Sequence, residues 1–257
     1  MKLNNIKRSL LILVWGILPA LSFAAVQPEL IFAKANRLYA QAHYKEALSL
    51  YGKIVDEGTQ SAAVYYNMGN ACYKTGDKPS ALLYYEKAHK ISPNDADINA
   101  NIRFLNAKSV DKIDEVPEFF LNSWWRSFIL SLSADSFAAL SICFILGASG
   151  LLILYFFAYL PQLKRAAFYS SVVFFVAGFF CIFVADRQRS YFEVRQQAIV
   201  FSSPVEIKSE PTEKSKSLFV IHDGVKVLIL EHNQEWIKVR LANGSEGWMK
   251  GLEVKEI

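Results

Sequence analysis

The sequence predicts a multidomain membrane protein: an all-α pair of helical repeats, a two-helix transmembrane hairpin and a small all-β barrel. Three observations carry this. Residues 28–95 resemble themselves at a lag of 34 positions, two blocks at 136–163 and 166–185 hold no acidic or basic side chain, and beyond residue 190 short apolar-polar alternations are punctuated by Asp-Gly and Asn-Gly. The 257 residues are 53% hydrophobic with mean hydropathy +0.18, the excess concentrated in those two blocks and a third at 9–28. The net charge of +4 is dispersed, with no Lys/Arg run longer than a pair, which excludes the electrostatic footprint of a nucleic-acid binder. The three cysteines form no CxxC pair, zinc spacing or disulfide framework, and Cys72 reads as a small core residue.

Residues 1–24 read as a signal peptide. A basic head (Lys2, Lys7, Arg8) precedes about ten apolar residues, a break at Pro19 and the small residues Ser22 and Ala24, which set cleavage after Ala24. An uncleaved anchor is the alternative. In either case the basic head stays in the cytoplasm and the following chain is exported. No lipobox cysteine lies near the cut.

Residues 27–108 are the repeat region, with copies at 28–61 and 62–95 and a capping helix after them. The lag aligns Asn36 with Asn70, Tyr39 with Tyr73, Ala47 with Ala81, Tyr51 with Tyr85 and Lys53 with Lys87. The second copy resembles the tetratricopeptide consensus: Gly69 and Ala81 are small where two helices touch, Gly76 ends the first helix and Pro93 closes the second. In the first copy Ala35, Ala42 and Thr59 stand at the corresponding Gly, Gly and Pro positions. Asn101 falls 34 residues after Asn67, on a helix with no partner, which predicts a cap over the last apolar face.

The first helix of each pair lines the concave face in this repeat class. The predicted peptide-binding residues are Phe32, Asn36, Tyr39, Tyr66, Asn67, Asn70, Tyr73, Lys74 and Asn101. An amide both donates to and accepts from an extended backbone while neighbouring rings cover its side chains. The same residues could instead only solvate and stiffen that face. In the chaperone-binding version of this groove lysines join the asparagines on a terminal carboxylate. Phe32 and Asp97 stand at the lysine positions here, so that clamp is not expected.

Residues 109–135 form a bridge containing Phe119, Phe120, Trp124 and Trp125, aromatics that suit a headgroup boundary. Transmembrane helices are predicted at 136–160 and 166–185. Each uncharged block is long enough for a hydrocarbon core of about 30 Å at about 1.5 Å per residue. Lys164 and Arg165 suit a cytoplasmic turn between them. A chain that starts outside and crosses twice ends outside, so both soluble parts face one compartment.

Residues 190–257 predict five short strands at 198–201, 218–222, 226–231, 236–241 and 247–250. The order of Ala198-Ile199-Val200, His222-Asp223-Gly224, Trp236 opening one strand and Gly247-Trp248 opening the next resembles bacterial SH3 domains. That resemblance implies a cell-wall peptide or a protein as ligand, with Trp236 and Trp248 as the ligand-facing aromatics. Packing at the barrel ends is the other reading of the same two residues.

No catalytic residues are identified. His43, His89, His222 and His232 form no metal pair and stand beside no nucleophile, and phosphate-binding glycine loops are missing. No metal or other cofactor is expected, and a muropeptide hydrolase would need a separate domain. The whole order, from signal peptide through repeats, Trp-Trp bridge and membrane hairpin to SH3 barrel, resembles the BatE family of the bacterial aerotolerance operon. It implies a non-catalytic inner-membrane adaptor with repeats and barrel in the periplasm, working beside von Willebrand factor A membrane proteins and a MoxR-type ATPase in aerotolerance or envelope stress. A peptidoglycan-binding anchor or sensor acting through the SH3-like domain is the alternative.

Overall fold

The computed structural model describes residues 26–113 and 119–257, so the predicted signal peptide and residues 114–118 of the bridge lie outside the described residues. The chain forms two compact units that divide between Gln60 and Ser61.

The first unit holds α1 (Val26–Ala40) and α2 (Tyr44–Asp56). Between them Ala42 takes a positive φ of 62°, the conformation that Gly76 adopts (φ 87°) 34 residues later. An alanine therefore bears at this turn the steric cost that glycine avoids. The helices meet through Ala35, Ala47, Tyr51 and Ile54, all buried.

In the second unit α3 (Ala62–Lys74) and α4 (Lys78–Ile91) form the second pair. Asp77 caps α4, its Oδ1 accepting from the Ser80 N–H at 3.0 Å, and Pro79 occupies the first turn, where no donor is lost. Helix α5 (Ala96–Ala107) is capped by Asp95, which accepts from the N–H groups of Asp97 and Ile98, and it buries Ile98 and Leu105.

Helix α6 (Phe120–Ile129) leads to two long apolar helices, α7 (Ala134–Phe157) and α8 (Pro161–Val194), each long and apolar enough to cross a membrane. Small residues let them meet closely, and the ring pairs Phe144–Phe174 and Tyr155–Phe168 also join them. Ser171 Oγ donates to the Ala148 carbonyl at 2.9 Å, and a Cβ on Gly178 would stand 2.9 Å from Ile145. Pro161 begins α8, leaving only residues 158–160 as the connection, and the helix runs nine residues beyond the uncharged block that ends at Ala185. Around its far end α6 packs on α8 through Ile129, Phe128, Val184 and Tyr191, and Gln188 Nε2 donates to the Leu132 carbonyl at 2.8 Å.

The C-terminal part is a seven-stranded antiparallel sheet in the order β3-β2-β6-β5-β4-β1-β7. The strands are β1 (Gln197–Val200), β2 (Val205–Lys208), β3 (Ser217–Ile221), β4 (Lys226–Asn233), β5 (Trp236–Arg240), β6 (Glu246–Lys250) and β7 (Val254–Glu256). Two of them, β2 and β7, correct the expectation of five. Each is three or four residues long, too short for the alternation of Val205 and Ile207, or of Val254 alone, to stand out in sequence. The core gathers Ala198, Val200, Ile207, Val227, Val239 and Met249 on one face. Gly247 lets β6 approach β2, since a Cβ there would lie 2.9 Å from the Lys208 carbonyl oxygen.

The sheet is seated on the second repeat. The Lys226 ammonium at the start of β4 reaches the buried Glu86 carboxylate of α4 at 2.7 Å, and Asp111 accepts from the His222 N–H at 2.6 Å with its second oxygen 3.0 Å from His222 Nδ1. Ile113 packs on the sheet core. These contacts join residues 111 to 140 positions apart, beyond any local sequence signal.

Candidate functional site

On α1 the candidate residues Phe32, Asn36 and Tyr39 are half-buried. Asn36 Oδ1 accepts from the Tyr51 hydroxyl at 2.6 Å, the Phe32 ring lies 5.8 Å from the Tyr51 ring, and Tyr39 meets Tyr44 edge-on at 5.1 Å.

The second pair repeats this arrangement. Asn70 Oδ1 accepts from the Tyr85 hydroxyl at 2.7 Å, and Tyr66 lies 5.8 Å from the Tyr85 ring. The Asn–Tyr pairing visible at the 34-residue lag is thus a bond within each helix pair. The amide oxygen satisfies a tyrosine hydroxyl that is part-buried between the helices. Asn101 Nδ2 also approaches Asn70 Oδ1, at 3.5 Å, so α3 and α5 bring Asn70 and Asn101 together. Tyr66, Asn67 and Tyr73 are half-buried and Lys74 is exposed.

Two residues of this face were not anticipated. Phe104 is 43% exposed, meets Tyr73 edge-on at 5.7 Å and carries the Lys108 ammonium 4.2 Å above its ring. Positions 104 and 108 lie 34 residues after Asn70 and Lys74, so the same lag carried one copy further leads to both.

The two tryptophans of the sheet differ. Trp236 is only 7% exposed, with the Lys250 ammonium 5.8 Å from its ring. Trp248 is half-buried and stands in register between Lys208 of β2 and Lys238 of β5. Around them runs a network of half-buried and exposed charges. Hydrogen bonds from Arg240 and Lys238 hold the Glu246 carboxyl below its ordinary value, Lys208 does the same for Glu206, and Glu213 raises Lys250.

Of the remaining titratable groups, Cys72 is buried and its thiol is pushed up to about 12, chiefly by burial and then by the Asp77 carboxylate, so it is no nucleophile near neutral pH. Burial lowers His89, whose ring lies edge-on to Phe192 at 6.1 Å. His43 pairs with Glu46, His222 with Asp111 and His232 with Gln196. Among the described residues no three His, Cys, Asp or Glu side chains converge on a metal-sized site.

Comparison with known proteins agrees with two parts of this architecture. Residues 62–95 match the tetratricopeptide repeat family, and residues 203–255 match the bacterial SH3 domain family. No curated protein matches the chain. Among solved structures the chain is similar to the C-terminal SH3 domain of myosin IB from Entamoeba histolytica. The crystal structure bound to an EhFP10(GEF) peptide is 27% identical and the domain alone 28%, each at a TM-score of 0.19, covering 24% of this chain and 93% of the other. The chain therefore combines a tetratricopeptide repeat with a bacterial SH3 domain, two modules that suit protein or peptidoglycan binding, with two long apolar helices between them.

Proposed function

We propose that this protein is a non-catalytic adaptor of the bacterial inner membrane. Helices α7 and α8 span the bilayer, and the repeats and the SH3-like domain both work on the periplasmic side. The observation that carries the reading is the Glu86–Lys226 pair at 2.7 Å, which ties the SH3-like sheet to the repeat helix α4. Two binding modules fixed to one another and anchored beside a bilayer present their ligands at a set distance, so each contact can be weak.

In this reading the face formed by Tyr66, Asn67, Asn70, Tyr73, Lys74 and Asn101 takes an extended segment of a membrane or periplasmic partner. The resemblance to BatE proteins makes von Willebrand factor A proteins and a MoxR-type ATPase complex the first partners to try, in aerotolerance or envelope stress. The test is photocrosslinking in intact membranes from Asn67, Tyr73 and Phe104, with the exposed Glu46 as control. Capture of one defined protein from the three positions and not from Glu46 supports the adaptor, and equal background from all four refutes it.

A second reading, peptidoglycan anchoring, is favoured by Trp248, a half-buried ring in register between Lys208 and Lys238, whose ammonium groups pair with Glu206 and Glu246, a setting in which an aromatic face can stack on a sugar. Retention of the full chain on purified sacculi, lost in Trp248→Ala, would support it.

A further inference from the structure

Within the second unit, α5, residues 109–113, α6, the end of α8 and the sheet border an open cleft of about 810 Å³. Among the described residues its walls carry six cations, Arg103, Lys112, Arg126, Arg195, Lys226 and Arg240, against two carboxylates, Glu86 and Asp111. Both carboxylates are engaged, Glu86 by Lys226 and Asp111 by His222, while Arg240 pairs with Glu246. Among the described residues Arg103, Lys112 and Arg195 have no carboxylate within ion-pair distance. The Arg195 guanidinium lies 4.4 Å above the Tyr191 ring and donates to its hydroxyl at 3.1 Å.

The place of the cleft says what kind of anion would meet it. Tyr191 lies six residues beyond Ala185 on one continuous helix, about 9 Å past the uncharged block at about 1.5 Å per residue. The headgroup layer extends roughly 5–7 Å beyond the hydrocarbon on each side, within reach of an arginine side chain at that level. Helix α6, which supplies Arg126, is packed on the same stretch of α8 and leaves Phe120, Leu121 and Trp124 exposed, the last at 60%. These are side chains suited to the boundary of a bilayer.

We propose that this cleft seats the phosphodiester headgroup of an anionic phospholipid from the membrane that α7 and α8 cross, held by Arg103, Lys112 and Arg195. The proposal rests on the membrane-anchored reading given above. Guanidinium forks match phosphate oxygens in pairs, and a cation near an anionic surface contributes about a fivefold gain in affinity.

The test uses the full-length chain. Retention in carbonate-washed membranes comes first, because release by that wash would refute the membrane reading itself and this proposal with it. The retained protein is then moved into nanodiscs of phosphatidylcholine containing about one-fifth phosphatidylglycerol, and the lipids that stay bound after detergent transfer are identified by native mass spectrometry. Preferential retention of phosphatidylglycerol is expected, reduced about tenfold or more in Arg103→Gln/Lys112→Gln/Arg195→Gln. It should be unchanged in Lys78→Gln/Lys214→Gln/Lys216→Gln, which removes three exposed charges elsewhere. Near-ultraviolet circular dichroism confirms that each variant is folded, and Arg195→Lys, which keeps the charge, should retain most of the binding. Equal retention of the two lipids, equal loss in both triple variants, or displacement of phosphatidylglycerol by millimolar inorganic phosphate would each overturn the lipid assignment.

Discussion

Substituting the two glycines that lie inside repeat helices should shift stability in opposite directions. A Cβ on Gly69 of α3 would stand 2.6 Å from Tyr85 Cδ1 and Cε1, whereas ordinary contact begins at 3.4 Å, so the ring must retreat by the difference, about 0.8 Å. Tyr85 has little room: it is buried, and its hydroxyl is bonded to Asn70 at 2.7 Å. Overpacking of this kind costs about 1–3 kcal/mol, and weakening the hydroxyl bond adds up to about 1 kcal/mol. Alanine in place of a helical glycine returns about 1 kcal/mol. The balance for Gly69→Ala is a loss of about 1.5 kcal/mol at the middle of these ranges and about 3 kcal/mol at most. Gly52, inside α2, has nothing within 4 Å of its would-be Cβ, so Gly52→Ala keeps only the gain of about 1 kcal/mol. Hydrogen exchange followed by mass spectrometry on the full chain reads both locally. Amides of α3 and α4 should exchange about tenfold and at most about 150-fold faster in Gly69→Ala, and amides of α2 about fivefold slower in Gly52→Ala. A Gly69→Ala variant as protected as the parent would refute the argument that this contact sets the helix spacing.

Lys226→Met leaves the Glu86 carboxylate, 5% exposed, without its partner and should destabilise the second unit by about 2–4 kcal/mol, read as a lower thermal midpoint. The double variant Lys226→Met/Glu86→Leu should recover most of that loss, and a single variant with an unchanged midpoint would contradict the role given to the pair. Burial lowers His89 below its ordinary value of 6.5, so as pH falls the unfolded chain binds the proton first. Its contribution is then complete above pH 6.5 and is lost below it down to the folded-state value, with a slope of at most about 1.4 kcal/mol per pH unit. Thermal midpoints measured from pH 7.5 to 5 should show this decline, and His89→Gln should flatten it. An identical profile in the variant would assign the decline to another group.

Much of the helical part was legible because its signals are local and periodic. The 34-residue lag located both helix pairs, and Gly76 marked a turn that the structure uses as such, while the Asp77 cap of α4 came only with the structure. Even Ala42, where the consensus has glycine, takes the left-handed conformation, because the packing of α1 on α2 outweighs the local cost. The roles of the groove asparagines were only half legible. The lag paired Asn36 with Asn70 and Tyr51 with Tyr85, but only the fold shows that each amide oxygen accepts from the tyrosine 15 residues later. The lag into the third copy singled out Asn101 because it repeats an asparagine, whereas Phe104 stands opposite Asn70 and keeps no residue type, so its place on the face came only with the structure.

Composition and periodicity by themselves determined which segments become helices, which are apolar enough for a bilayer and that a small β domain follows, although α8 runs to Val194, past the predicted domain start at 190. Those properties follow from side chains within one or two turns, or one strand, of each other. The tertiary structure alone decided how the modules of the second unit meet. The Glu86–Lys226 pair, the Asp111–His222 bonds and the cationic cleft bring together side chains more than 100 positions apart, and nothing in the local pattern of either partner records such an encounter. The same holds for the short strands β2 and β7, whose few residues are too short a run to mark a strand by themselves and whose backbone groups are satisfied by a neighbouring strand.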